Sequence, residues 1–197
     1  MNYNFIKRIK GERTLINGAL FSLYSFIGKG ISFLILIMLA NYISPDEYGY
    51  LNLFTTVISF VTIFIALSTN GYVSISFFKK GTNEFGKDFT SIFLIGIVSF
   101  IFFSILVLLG GTWISDALQL STKLLFIAVA ISFFTFSFLL QQDYLRIKEK
   151  VKEYGIYNIS NALLNLAFTF IFIISLRQGW MGRVNAHFLC TVVFGII

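Results

Sequence analysis

The sequence predicts an all-α integral membrane protein, a multi-spanning helical bundle, and three observations support this fold class. Hydrophobic residues make up 57% of the 197-residue chain and charged residues only 12%, whereas soluble domains carry about 25% charged residues. The apolar residues are gathered into long runs, and a helix needs about 20 such residues to cross the hydrocarbon core. Positive residues cluster in the short segments between these runs, as in the loops of membrane proteins. Lipid is therefore the expected solvent for most of the chain.

Six apolar runs define the expected organisation. A basic N-terminal segment, residues 1–14, precedes a transmembrane unit at residues 15–197. The expected spans are 15–42, 51–78, 89–111, 123–140, 154–176 and, incompletely, 183–197. The first run is too long for the apolar region of a secretory signal, so we expect it to remain as a span. The sixth run reaches only about 22 Å, short of the roughly 30 Å hydrocarbon core, so we expect the chain to be the front portion of a longer protein.

The distribution of positive charge predicts a cytoplasmic N-terminus. Basic residues are abundant before the first span and after the second and fourth spans, and scarce on the other side. The first group is Lys7, Arg8, Lys10, Arg13, Lys79, Lys80, Lys87, Arg146, Lys148, Lys150 and Lys152, and the second is Lys123, Arg177 and Arg183. The turn at residues 44–49 on the second side carries Asp46 and Glu47, and we expect Ser44 or Asp46 to cap the second helix.

Polar residues within three spans recur at intervals of three and four, so each set shares one helix face. The sets are Gly18, Ser22, Ser25, Lys29 and Ser32 in span one, Asn52, Thr55, Ser59, Thr62, Ala66, Thr69 and the adjacent Asn70 in span two, and Asn158, Asn161, Asn165 and Thr169 in span five. We expect spans one, two and five to line an internal polar cleft. Spans three and four, which are mostly Phe, Ile, Leu and Val, are expected to face lipid. The alternative for the hydroxyl and small residues is close packing between helices.

Lys29 lies at the centre of the first run, about 20 Å from either end at 1.5 Å per residue. A charge at that depth costs roughly 3 kcal/mol on insertion scales. We interpret Lys29 as a functional cation that faces a cavity, and the alternative is a snorkelling or structural lysine. No Asp or Glu lies at the centre of any span, whereas ion-coupled exporters usually carry an embedded carboxylate. The cleft is therefore expected to suit an anionic substrate such as a phosphate or pyrophosphate.

The sequence offers little for catalysis, so the chain is expected not to be an enzyme. His187 is the only histidine and Cys190 the only cysteine, and there is no Gly-x-Ser-x-Gly motif or phosphate-binding glycine loop. No metal site and no cofactor are expected. The net charge of +6 is concentrated between the spans, where it indicates topology, so nucleic acid is not an expected partner.

Three segments, in order along the chain, resemble bacterial polysaccharide-export proteins. Residues 39–51, Leu-Ala-Asn-Tyr-Ile-Ser-Pro-Asp-Glu-Tyr-Gly-Tyr-Leu, resemble the end of their first helix and the turn after it. Residues 141–148, Gln-Gln-Asp-Tyr-Leu-Arg-Ile-Lys, resemble their connection between spans four and five. Residues 179–186, Gly-Trp-Met-Gly-Arg-Val-Asn-Ala, resemble the entry to their sixth span. Over essentially its whole length the chain thus resembles the lipid-linked oligosaccharide flippases of O-antigen, capsule and related polysaccharides, in the superfamily of MATE-type multidrug exporters and the peptidoglycan-precursor flippase.

The resemblance implies a MATE-like protein of about twelve to fourteen spans in two lobes, with alternating access to a central cationic cavity. This chain would form the N-terminal lobe, in the bacterial cytoplasmic membrane. The implied substrate is an undecaprenyl-pyrophosphate-linked oligosaccharide that moves from the cytoplasmic to the outer leaflet. Membrane lipids, a polysaccharide polymerase and glycosyltransferases are the implied partners. Two alternatives stay open: a multidrug or small-molecule exporter of the same fold, and a membrane scaffold for polysaccharide assembly that transports nothing.

The resemblance also implies roles for individual residues. The candidate cavity residues are Lys29, Ser25, Asn70, Asn158, Asn161 and Asn165, and the candidate gate or headgroup contacts are Arg146, Arg177 and Arg183. Lys29 would hold the pyrophosphate, and the asparagines would bond sugar hydroxyls or bridge helices. Arg146 would be a charge of the cytoplasmic gate or, alternatively, a topology-setting arginine. The other two arginines would contact lipid headgroups or the departing substrate, or would anchor the bundle at the interface.

Overall fold

The structure, a computed structural model, describes residues 3–67, 72–73, 75–77 and 82–196. Long helices account for nearly all of these residues, and no strand occurs among them. The helices are α1 (Tyr3–Tyr42), α2 (Pro45–Ala66), α3 (Thr82–Leu118), α4 (Thr122–Ile147), α5 (Val151–Phe170) and α6 (Gly179–Gly195). A π-helical turn, Ile171–Ser175, continues α5. The predicted fold class, an all-α membrane bundle, is confirmed.

Five helical stretches of the described chain are long and apolar enough to cross a membrane. They are Thr14–Tyr42, Pro45–Ala66, Gly86–Leu118, Thr122–Ile147 and Val151–Ser175. The third and fourth stretches run past the predicted spans 89–111 and 123–140, because the helical backbone continues through polar residues at their ends. Asn70 lies outside the described residues, as do residues 68, 69, 71, 74 and 78 of the predicted second span. The chain is a multi-pass membrane protein.

Local sequence sets the turn between α1 and α2. Pro45 takes the first position of α2, where its missing N–H leaves no hydrogen bond unmade. The Ser44 hydroxyl accepts from the backbone N–H of Glu47 at 3.3 Å, and the Glu47 carboxylate accepts from the backbone N–H of Ser44 at 2.9 Å. This capping box uses Ser44, one of the two predicted caps. Glu47 also accepts from the backbone N–H of Trp180 at 3.4 Å, which ties the start of α6 to the same turn.

Helix α4 forms the centre of the bundle. It packs against α2, α3, α5 and α6, and its residues Ala128, Ile131 and Phe136 are fully buried. The prediction that the fourth span faces lipid is therefore wrong. A helix that is apolar all round is typical of a buried position as well as of a lipid-facing one, and sequence periodicity does not separate the two.

Helix α3, by contrast, exposes one long apolar face, as expected for a lipid-facing helix. The exposed large side chains on it are Leu94, Ile95, Val98, Ile101, Phe102, Ile105, Leu106, Leu108, Leu109 and Trp113.

Helix α1 packs chiefly against α5. Gly155 lies beneath the ring of Tyr24, where a Cβ atom would come within 2.6 Å of the ring. Gly28 lies against the amide of Asn158, where a Cβ atom would come within 3.0 Å. Glycine at these two positions lets α1 and α5 approach closely, as small residues do in membrane bundles.

We predict that Gly155→Leu destabilises the protein, because the added side chain must displace the Tyr24 ring or push α1 from α5. Overpacking of this kind costs about 1–3 kcal/mol. The measurement is the apparent melting temperature of the detergent-purified protein by size-exclusion chromatography after heating. Gly30→Leu is the matched control, because no atom of the described residues lies within 4 Å of its Cβ position. Equal melting temperatures for the two variants would contradict the packing described for α1 and α5.

Candidate functional site

A polar pocket of about 220 Å³ lies between α1, the end of α4 and α5, and we call it the Lys29 pocket. Its lining residues are Ser25, Gly28, Lys29, Ser32, Gln142, Arg146, Tyr154, Asn158, Asn161, Ala162 and Asn165. The α1 residues belong to or adjoin the polar face predicted for the first span, and most of the α5 residues follow the predicted asparagine face. The pocket therefore forms where two polar helix faces meet within the predicted membrane region.

Lys29 is a cation of this pocket that has no partner among the described residues. Its side chain is exposed and makes no hydrogen bond or ion pair with any residue that the structure describes. It lies about 20 Å from the end of α1 at 1.5 Å per residue, so it sits near the middle of the candidate span Thr14–Tyr42. An ammonium group offers three hydrogen-bond donors. The pocket therefore presents an unused positive charge at mid-depth.

Arg146 lines the same pocket, but other side chains hold it. Its Nη2 donates to the hydroxyl of Tyr154 at 2.7 Å, and its Nη1 lies 3.6 Å from the carboxylate of Asp143. Its guanidinium carbon lies 5.0 Å from the centre of the Tyr154 ring. The same hydroxyl shares a 2.8 Å hydrogen bond with Ser25. Arg146 is thus a positioned cation where α1, α4 and α5 meet.

Asn158 joins the same three helices. Its Nδ2 donates to the backbone carbonyl of Tyr24 on α1 at 2.9 Å. Its Oδ1 accepts from Nε2 of Gln142 on α4 at 3.1 Å. Of the two roles considered for this asparagine, the structure gives it the bridging one.

The other two asparagines of the face connect α5 to α6. Nδ2 of Asn161 donates to the sulfur of Cys190 at 3.6 Å, and Oδ1 of Asn165 accepts from Nη1 of Arg183. Asn161 Oδ1 and Asn165 Nδ2 have no partner among the described residues. These two groups, on residues that line the Lys29 pocket, remain able to bond a ligand.

Arg183 points between the helices. Its Nη1 also donates to the hydroxyl of Thr169 at 3.0 Å. Its side chain borders a second pocket of about 170 Å³, which Asn52 and Thr55 of α2 and Ser32 of α1 help to line. Ser32 lines both pockets, so they are neighbours. Arg183 therefore lies inside the bundle and is bonded there, which the interface-anchor interpretation did not anticipate.

The structure brings most of the predicted residues together. Lys29, Ser25, Asn158, Asn161, Asn165 and Arg146 line the Lys29 pocket, and Arg183 borders the second one. Arg177 is exposed in the turn before α6 and lines neither pocket, and Asn70 lies outside the described residues. The second span contributes to the second pocket and not to the first.

Tyr154 and Gln142 were not predicted as site residues. Tyr154 precedes Asn158 by four residues and Gln142 precedes Arg146 by four. Each of them therefore lies one helical turn before a predicted site residue and on the same helix face. Extending the predicted faces by one turn would have added both to the candidate site residues.

Comparison with known proteins identifies one family. Residues 15–197 match the family model described as "Polysaccharide biosynthesis protein", which covers the whole predicted transmembrane unit. No curated protein and no solved structure matches the chain.

We predict that a cysteine at position 29 is accessible to water although it lies deep in the membrane. In a Cys190→Ala background, Lys29→Cys should react with a charged, membrane-impermeant thiol reagent at least about tenfold faster than Ile27→Cys, because only a hydrated thiol ionises readily. Ile27 is a suitable control because it is exposed, lies at nearly the same depth and points to the other side of α1. Equal labelling of the two cysteines would show that the Lys29 pocket holds no water.

Proposed function

This chain belongs to the polysaccharide biosynthesis protein family, and from that premise we propose that it is part of a transporter for an anionic lipid-linked oligosaccharide. The family is associated with polysaccharide biosynthesis and flippase-type transporters. The proposed substrate is an undecaprenyl-pyrophosphate-linked oligosaccharide, which is moved from the cytoplasmic to the outer leaflet of the bacterial inner membrane. Its proposed destination is a surface polysaccharide such as O-antigen or capsule. The observation that carries this proposal is that Lys29, which lies in a polar pocket at mid-depth, has no partner among the described residues.

A pyrophosphate cannot enter the hydrocarbon without a compensating charge, because an unpaired ion there costs several kcal/mol or more. Lys29 supplies a mobile point charge for that purpose. Arg146 supplies a guanidinium fork in an orientation that Tyr154 fixes at 2.7 Å. The free amide groups of Asn161 and Asn165 are suited to sugar hydroxyls, which both donate and accept.

In the proposed orientation, with the N-terminus in the cytoplasm, the three cations Arg146, Lys29 and Arg183 would follow one another along the route of the substrate from the cytoplasm outward. Arg146, near the end of α4, would meet the substrate first, and Lys29 would hold the pyrophosphate at mid-depth. The pocket bordered by Arg183 lies towards the other side and adjoins the Lys29 pocket at Ser32. Because Lys29 is exposed on α1, we propose that a second lobe faces α1 and closes the cavity. A polymerase and glycosyltransferases are the proposed partners on the assembly pathway.

We predict that Lys29→Ala reduces polysaccharide export at least about tenfold while the protein level in the membrane stays normal. A hydrogen bond to a charged group contributes about 1.5–3 kcal/mol, and each 1.4 kcal/mol is about a factor of ten. The measurements are surface polysaccharide by immunoblot and the amount of lipid-linked precursor retained on the cytoplasmic face. Lys29→Arg should keep most of the export because it keeps the charge.

Lys123→Ala is the matched control, because Lys123 is an exposed lysine that does not line the Lys29 pocket. Normal export in a Lys29→Glu strain, with assembly enzymes still co-purifying, would contradict transport and favour the scaffold. Loss of small-molecule efflux in Lys29→Ala with export unchanged would favour the multidrug exporter.

A further inference from the structure

An apolar groove of about 480 Å³ lies between α2, α3 and α4, and we call it the α2–α3–α4 groove. Leu53, Val57 and Phe60 line it from α2, Leu106 from α3, and Val129 from α4. The hydroxyl of Thr56, which also borders it, already donates to the backbone carbonyl of Asn52 at 2.8 Å. The groove therefore offers a ligand almost no polar contact.

The groove lies at a depth where hydrocarbon surrounds the protein. Its lining residues fall within the candidate spans Pro45–Ala66, Gly86–Leu118 and Thr122–Ile147. Along α2 they rise about 12 Å, from Leu53 to Val61, at 1.5 Å per residue. Phe60 and Leu106 at its rim are 58% and 41% exposed, so the groove opens sideways towards the bilayer. An open space of this kind inside a membrane takes up hydrocarbon, since water finds no partners there.

A shallow pocket with one acidic side chain, that of Asp46, continues the groove towards the Pro45 end of α2. Pro45, Asp46, Gly49, Tyr50 and Leu53 line this pocket, and Leu53 also lines the groove. The positions 46, 50, 53, 57 and 60 are spaced by three and four, so they form one face of α2. A mouth that carries one carboxylate therefore lies at the Pro45 end of the apolar groove.

The mouth of the groove carries negative charge. The carboxylate of Asp46 is exposed and makes no hydrogen bond or ion pair within the part of the chain that the structure describes. The ring of Tyr50 is 40% exposed and stacks on Trp180 with ring centres 5.9 Å apart. A carboxylate beside an aromatic ring attracts an ammonium group, by charge and by cation–π interaction.

We propose that the α2–α3–α4 groove and its Asp46 mouth bind one zwitterionic, amine-bearing phospholipid of the bilayer. One acyl chain lies in the groove, and the headgroup ammonium lies at Asp46 and Tyr50. The occupant is a bilayer lipid and not the transported lipid, for two reasons. Among the described residues the groove shares no lining residue with the Lys29 pocket, and its mouth offers an acid where a pyrophosphate requires a cation.

The lipid would complete the packing between α2, α3 and α4 along the groove. Dense packing is the normal state of a protein interior. In the topology proposed above, the Pro45 end faces outward and the lipid belongs to the outer leaflet. The binding itself does not depend on that orientation or on the transported substrate.

Native mass spectrometry of the full chain tests the proposal. Delipidated protein is titrated with phosphatidylethanolamine or with phosphatidylglycerol of the same acyl chains. The wild type should retain one phosphatidylethanolamine in preference to phosphatidylglycerol. Leu106→Trp, which fills the groove, should lower retention at least about tenfold relative to Leu109→Trp, which adds the same side chain at a 78% exposed position of α3. Asp46→Asn should lower the preference for the amine lipid about threefold, because a single exposed ion pair contributes only a small free energy of binding.

Equal retention by the two tryptophan variants would show that the acyl chain does not lie in the groove. Equal binding of the two lipids by the wild type would show that the headgroup ammonium is not recognised at Asp46 and Tyr50. Either result overturns the proposal.

A second measurement covers the case in which Leu106→Trp does not fold. In a background with both native tryptophans changed to Phe, Phe60→Trp at the groove rim is compared with Phe102→Trp, which is 56% exposed outside it. Phosphatidylethanolamine with brominated chains should quench the tryptophan at position 60 saturably at low lipid fraction, and the one at position 102 only in proportion to the lipid fraction. Identical quenching curves overturn the proposal.

Discussion

The close contact of α1 with α5 is the interaction on which the Lys29 pocket depends. Gly28 and Gly155 leave room for it, and the amide of Asn158 spans the gap to the backbone carbonyl of Tyr24 at 2.9 Å. In hydrocarbon an unpaired amide costs several kcal/mol, so this hydrogen bond strongly favours the packed arrangement. The contact places Lys29 beside polar groups. Without it, the ammonium would face lipid, at a cost of roughly 3 kcal/mol or more.

The polar groups of the Lys29 pocket and of the second pocket, which Arg183 borders, are of two kinds. Some hold the bundle together, and others are free for a ligand. Asn158 is used in bridging, and Arg146 and Arg183 are fixed by neighbouring hydroxyl and amide groups. Lys29 has no partner within the described residues. A rigid frame around one mobile cation suits a transporter, because the frame keeps its shape while the lysine follows a moving anion. A site in which every cation was fixed would bind its ligand at one depth only.

Much of the architecture could be predicted from sequence because it depends on local patterns. Apolar length predicted helices long enough to cross a membrane, and the described chain has five of them. Helical spacing placed Lys29 and the asparagines on the faces that meet at the Lys29 pocket. Packing between distant helices was not predictable in the same way. The apolar α4 carries no pattern that separates a central helix from a lipid-facing one. The inward direction of Arg183 depends on Gly182, whose Cβ position lies 3.0 Å from the backbone of Phe172. That contact brings α6 against the π-helical turn and Arg183 to Asn165, which spacing alone does not reveal.

The role of Lys29 in moving an anion is tested by transport in liposomes that contain the protein, with two fluorescent lipid-linked saccharides that differ only in the linkage. One carries a pyrophosphate between polyprenyl chain and sugar, and the other carries a neutral linker of similar length. We expect only the pyrophosphate form to cross the bilayer at a rate above that of protein-free liposomes, because Lys29 must meet a negative charge at mid-depth. Equal transport of the two lipids, or transport of the neutral one alone, would contradict that role.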